Sequence, residues 1–289
     1  FIFTIFFGCS MYGWGHIFCL KPLSKYLSVN IVIGMSVTLF IGGILNNYNQ
    51  ADVSTIKIMF YLGIIIFLIK IILNSYVFKN FILIKNFKKD YYILFLPIIL
   101  LLVSIFSSIN PDAYNYHDDL QKYFIHPVKM LETGSVFGST LSAIGQQTLG
   151  GQAFLQSFYL SFIGLNAINI FDSVYCLSLI VFILLELAIR ERALIFGALV
   201  ACFVVLFHPQ YVNISSLYSA VLFILTSIVL SLEFLRNYSN VNFFYFKYIL
   251  GLSFSFASLL ILKTNNVAFP LVYFFIFIFF LFFFRKFSK

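Results

Sequence analysis

Charge is what this sequence has least of. Of its 289 residues only 10% are Asp, Glu, Lys or Arg, 62% are hydrophobic, and mean hydropathy is +1.01. A soluble domain needs a polar exterior that such a composition cannot supply, so a water-soluble globular fold is excluded. Cysteine is scarce: Cys9, Cys19, Cys176 and Cys202 fall in or beside apolar segments with no CxxC spacing. They read as small packing residues and not as disulfides or metal ligands. No internal repeat is visible, and Pro97, the clearest mid-span proline, has no repeat partner. That weakens a transporter or flippase reading, since such folds pair their broken helices between repeats. A nucleic-acid signature is absent as well, so the net charge of +8 needs another explanation.

The apolar residues come as continuous runs and not as alternating strands, so an all-α membrane bundle is expected. Candidate spans cover about 1–20, 28–46, 58–78, 91–109, 171–189, 193–212, 214–235, 248–262 and 266–284. The basic residues explain the positive charge: "KPLSK", "KNFILIKNFKK", "RER", "RNYSNVNFFYFK" and "RKFSK" fall between spans or after the last one. By the positive-inside rule these stretches are cytoplasmic. "NNYNQADVS", the long stretch from Asn110, "HPQYVN" and "KTNN" are then external. About nine spans satisfy this pattern, provided that "GQAFLQSFYLSFIGL", residues 151–165, does not cross. It is expected to be an interfacial or partly embedded juxtamembrane helix with Gln and Ser on one side and Phe, Leu and Ile on the other. The chain begins at Phe1 and not Met, and reads as a piece of a longer one. It is expected to form one membrane domain, with N-terminal accessory helices over 1–90 and a core over 91–289.

External loop 110–170 carries four of the ten acids, Asp112, Asp118, Asp119 and Glu132. Its start, "NPDAYNYHDDLQKYFIHP", follows an uncharged apolar span. Two readings stand. Asn-Pro-Asp is turn chemistry, so Asp112 can cap a helix that runs to a stop at Gly134, with Lys122, Lys129 and Glu132 on its solvated face. Alternatively, a carboxylate at a poorly screened membrane boundary can serve as a general base or hold a divalent cation. On a helix starting after Asp112, Asp119 shares a face with Tyr116 or Tyr123, while His117 points elsewhere. A single site can therefore use Asp112 and one of two faces.

The stretch "PDAYNYHDDLQKYFIHPVKMLETGSV" resembles the first external loop of the GT-C glycosyltransferases, integral-membrane enzymes that use polyprenyl-phosphate-linked sugars. "GGQAFLQSFYLSFIGLNAINIFDSVYCLSL" resembles their juxtamembrane helix and next span. "HPQYVNISSLYSAVLFIL" and "SLLILKTNNVAFPL" resemble later spans, so the likeness covers roughly residues 90–285. It implies sugar transfer from a polyprenyl-phosphate donor at the extracytoplasmic face of a cell-envelope membrane, expected to be the bacterial plasma membrane. It implies Asp112 as the base or metal-linked residue, with Asp118, Asp119 and His117 as further catalytic candidates. Tyr116, His208 and Tyr211 are candidate substrate contacts. The chain departs from the family in having no clear second acidic motif, and it carries His208 and Tyr211 where some relatives have an acid. A divalent cation is the one cofactor the loop could hold. Lys263 lies near the outer end of a span, where it could pair with the donor phosphate, helped by Asn265 and Asn266, or snorkel to the headgroups. The implied partners are the lipid-linked donor and membrane lipids. A polysaccharide-polymerase-like protein is a further alternative, but such enzymes rely on external arginines and every Arg here is expected inside. Glu186 and Glu233 are expected to pair with Arg190 and Arg236 at helical spacing.

Overall fold

Backbone N–H and C=O groups in hydrocarbon have no water to bond, so an apolar chain must satisfy them within its own segments. The computed structural model describes residues 2–17, 24–73, 93–108, 123–137, 150–207, 215–236, 244–262 and 264–287. Among these no strand occurs. The helices are α1 (Ile2–Gly15), α2 (Leu27–Asn47), α3 (Val53–Leu73), α4 (Phe95–Ser108), α5 (Ile125–Thr133) and α6 (Gly151–Phe162). They continue with α7 (Ile168–Arg190), α8 (Ile195–Leu206), α9 (Tyr218–Arg236), α10 (Phe244–Leu262) and α11 (Ala268–Phe287).

Four of them, α2, α3, α7 and α9, are long and apolar enough to cross a membrane. Five further apolar segments, Ile2–Gly15, Phe95–Phe106, Ile195–Leu206, Phe246–Leu262 and Ala268–Phe279, are shorter. The chain is thus a helical membrane protein with four helices of spanning length among the described residues, against the nine runs expected. α7 is the central helix, with 83% of its apolar window buried, whereas α3 has 22% buried. The exposed face of α3, with Ile58, Leu62, Ile65, Ile69 and Ile72, suits contact with lipid tails.

Close approach holds α1, α2 and α3 together. A side chain at Gly13 would run into the backbone of Gly63. Small residues of this kind let membrane helices meet where apolar burial alone gives no advantage over lipid. Ser10 Oγ donates to Phe60 O (2.9 Å) and Trp14 Nε1 to Met59 O (3.0 Å), fixing α1 on α3. Between α9 and α10, Ser227 and Ser255 share a hydrogen bond (2.9 Å), and Ser255 Oγ also donates to Phe223 O (3.0 Å).

The expected stop at Gly134 is present. Gly134 takes a left-handed conformation (φ 76°), and its N–H donates to Met130 O (2.8 Å), ending α5. That turn is tied to the α2–α3 connection: Ala51 N–H donates to Gly134 O (2.9 Å) and Val136 N–H to Asn46 Oδ1 (2.9 Å).

Of the two settings expected for it, α6 takes the embedded one. It has 12 residues, about 18 Å of helix, too short to cross, and every residue from Gly151 to Tyr159 is buried. It packs inside the bundle. Gly151 touches Ile261 of α10, Phe154 meets Gly42 of α2, and Phe162 packs against Phe60 and Tyr61 of α3. The polar side expected to face water finds partners inside: Gln152 accepts from Ser219, and Ser157 Oγ donates to Phe154 O (2.6 Å). Phe158 and Tyr159 pack on Phe7, and Tyr159 also meets Phe3 edge-on (5.0 Å).

Candidate functional site

The eight site residues expected from sequence, Asp112, Tyr116, His117, Asp118, Asp119, His208, Tyr211 and Lys263, lie outside the described residues. What the structure gives is the framework those stretches enter and leave. α4 ends at Ser108 and α5 begins at Ile125; α8 ends at Leu206 and α9 begins at Tyr218. Asn266 Nδ2 donates to Leu259 O (3.2 Å), so this amide closes the last turn of α10.

Two carboxylates on α7 organise opposite ends of the bundle. Near its start, Asp172 is 1% exposed and lies in a π-helical turn, Phe171–Cys176. Such turns alter the helical offset of their side chains and recur at functional sites. Asp172 Oδ2 accepts from Tyr218 N–H (2.9 Å) and Oδ1 from Ser219 N–H (2.9 Å). These are the first two residues of α9, whose amides have no partner within the helix. The carboxylate satisfies both and complements the positive end of the helix dipole. Ser219 Oγ then donates to Gln152 Oε1 (2.9 Å) in the first turn of α6. One buried acid thus ties the starts of α6 and α9 to α7. No cation among the described residues forms an ion pair with it.

Near the other end of α7, Glu186 does the same for α2. Its oxygens accept from Leu27 N–H (3.0 Å) and Ser28 N–H (3.1 Å), while Glu233 Oε1 accepts from Lys25 N–H (3.2 Å). Cations gather here. Lys25 Nζ lies 3.0 Å from Glu191 Oε1, Arg236 also pairs with Glu191, and Arg190 lies over the Tyr26 ring (5.6 Å). Helical spacing offers Arg190 and Arg236 as partners of Glu186 and Glu233; the structure adds hydrogen bonds from the backbone entering α2 to both carboxylates, and an ion pair of Arg236 with Glu191. Amides at a helix start have no partner within the helix, and these carboxylates lie within their reach. Hydrogen bonds from Lys25, followed by the charges of Lys25 and Arg236, hold the Glu191 carboxyl below its ordinary range.

Among the described residues no group of three or more His, Cys, Asp or Glu side chains gathers to hold a metal ion. Cys176 and Cys202 are buried free thiols, consistent with a packing role. Asp172 is not singled out by the sequence reading because "INIFDSVYC" reads as part of a span. The available signal is an acid inside an apolar segment, which in a membrane protein marks a paired, purposeful group.

No protein-family model, curated protein or solved structure matches this chain.

Proposed function

We propose that the chain is an integral-membrane glycosyltransferase of GT-C type, with about nine spans and its basic end in the cytoplasm of a bacterial cell. It transfers a sugar from a polyprenyl-phosphate donor to an acceptor at the opposite face. The observation that carries this reading is the attachment of the acid-rich segment. α5 and α6, which bracket its second half, are fastened by Gly134, Val136 and Gln152 to the end of the bundle away from Lys25, Arg190 and Arg236. With the basic end inside, that segment faces out. The exposed apolar face of α4, with Ile99, Leu102, Val103 and Phe106, lies on the helix leading into it and suits contact with hydrocarbon chains.

In this reading Asp112 accepts the proton of the acceptor hydroxyl as that oxygen attacks the anomeric carbon. The bond to the polyprenyl phosphate breaks, and the phosphate leaves with the electron pair. Lys263 offsets charge on the leaving phosphate; Tyr116, His208 and Tyr211 contact the substrates. Asp118, Asp119 and His117 are alternative proton acceptors, and a divalent cation held by the loop carboxylates is the alternative to a direct base. The test is transfer of labelled sugar from polyprenyl-phosphate donors by the purified protein in liposomes, with Asp112→Asn, Asp118→Asn and Asp119→Asn, each with and without chelator. Asp112→Asn alone is expected to abolish transfer, because the amide still caps a helix but cannot accept a proton. Loss confined to Asp119→Asn would move the base. Three silent variants in an active parent would return the loop to a solvated face.

A further inference from the structure

At the basic end of the bundle three membrane helices bring their charged ends together. Lys25 and Tyr26 lead into α2, Arg190 and Glu191 close α7, and Arg236 closes α9. Tyr26 is buried at this junction, with Lys25 Nζ 5.1 Å and the Arg190 guanidinium 5.6 Å from its ring centre. Three cations meet three carboxylates here, Glu186, Glu191 and Glu233, but the acids and the cations are differently engaged. Glu186 and Glu233 are taken up by backbone N–H groups entering α2, and Glu233 is buried. Glu191 is shared between Lys25 and Arg236, whose side chains remain 40% and 47% exposed. Arg190 rests on the Tyr26 ring, and among the described residues no carboxylate lies within ion-pair distance of it. The junction therefore offers a guanidinium with unspent donors beside two cations that reach water. Just after Arg190, Leu194 and Phe196 at the start of α8 are exposed and apolar.

We propose that this junction of α2, α7 and α9 binds the headgroup of an anionic phospholipid, its phosphodiester held by Arg190 with Lys25 and Arg236. A guanidinium matches a phosphate with two parallel N–H···O bonds, which an ammonium cannot reproduce. With the basic end inside, the lipid comes from the cytoplasmic leaflet, where anionic headgroups concentrate and basic groups between membrane helices hold them. A free phosphate shares the charge but has no acyl chains to cover Leu194 and Phe196, so the apolar rim favours the lipid. The site uses none of the residues assigned to sugar transfer and stands independently of that reaction.

The experiment titrates the purified full chain in neutral detergent with phosphatidylglycerol and reads apparent affinity by native mass spectrometry. Parallel titrations use phosphatidylcholine, and inorganic phosphate is added as a competitor. Phosphatidylglycerol is expected to bind at least about fivefold more tightly than phosphatidylcholine, and equimolar inorganic phosphate to leave that binding unchanged. Arg190→Gln and Arg236→Gln are each expected to weaken phosphatidylglycerol binding about fivefold, the share of one cation near the membrane surface. Lys70→Gln removes a cation in the last turn of α3, outside the junction, and is expected to change binding less than about twofold. Glu191→Gln withdraws the carboxylate that Lys25 and Arg236 share and is expected to strengthen binding, by up to about fivefold. It carries the test should Arg190→Gln not accumulate. Equal affinity for the two lipids, an equal loss in Lys70→Gln, or unchanged or weakened binding in Glu191→Gln overturns the site. Displacement of phosphatidylglycerol by equimolar inorganic phosphate shows a site for the free anion and overturns the lipid assignment.

Discussion

The two ends of α7 solve one problem with different surroundings. At each end a carboxylate accepts from the first amides of another helix, α9 at Asp172 and α2 at Glu186. Around Glu186 stand Lys25, Arg190, Glu191, Glu233 and Arg236, linked by ion pairs and backbone hydrogen bonds. Around Asp172 the partners are neutral: backbone amides at the start of α9 and the Ser219 hydroxyl, which also reaches Gln152. At either end, loss of the carboxylate leaves buried amides without their acceptor, and an unpaired buried polar group bears its full desolvation cost. What differs is the setting, ion-paired at the first end and neutral at the second.

The largest effect should come from the acid-rich segment. Asp112→Asn is expected to lower transfer by about 10²–10⁴-fold, the usual span for loss of a general base, with the unfolding temperature unchanged. Preserved activity there would remove the chemical half of the contrast between the ends.

Next in size is the anchor at the basic end. Glu186→Ala leaves the amides of Leu27 and Ser28 without an acceptor and is expected to destabilise the protein by about 2 kcal/mol in detergent unfolding, with kcat per folded molecule retained. A matching loss of kcat would show that both ends govern chemistry.

A smaller change concerns Gly134. Alanine there must adopt the left-handed conformation and would meet the backbone of Asn49, so Gly134→Ala should cost at least about 1 kcal/mol. Hydrogen exchange should rise first in α5 and in the turn at Ala51. Uniform exchange across the bundle would show that this attachment does not act locally.

The smallest effect belongs to the surface network. Glu191→Gln removes the carboxylate shared by two partly exposed ion pairs and should shift stability by less than about 1 kcal/mol, less still in high salt. The sign with pH follows from its lowered carboxyl pKa. The stabilisation is complete above the unfolded value near 4.5 and is lost as pH falls through the lower folded value. Parent and variant should therefore differ near neutrality and converge at strongly acidic pH. A gap that widens on acidification would contradict the pairing.

Much of this architecture can be read from local pattern. Apolar runs become helices because hydrocarbon leaves the backbone no other partner, Gly134 ends its helix as turn chemistry requires, and Lys25, Arg190 and Arg236 gather at one end as charge sorting suggests. What escapes local pattern is long-range. Asp172 reaches 46 residues along the chain to the amide of Tyr218, and Glu186 reaches 159 residues to that of Leu27, which no local spacing encodes. α6 has an amphipathic pattern that fits an interface equally well, and only the partners of Gln152 and Phe154 decide for burial. The expected site residues fall between the described helices, so their chemistry rests on the sequence, while the framework around them rests on the structure.

The measurement that reaches the central claim most directly is the sidedness of the two ends. Single cysteines introduced at Ser139, in the segment between α5 and α6, and at Ser239, between α9 and α10, in a chain lacking its native cysteines, are labelled in intact cells with a membrane-impermeant maleimide. The account predicts that Ser139→Cys reacts from outside and that Ser239→Cys reacts only after permeabilisation. Labelling of both from the same side would place the acid-rich segment with the basic end and contradict it.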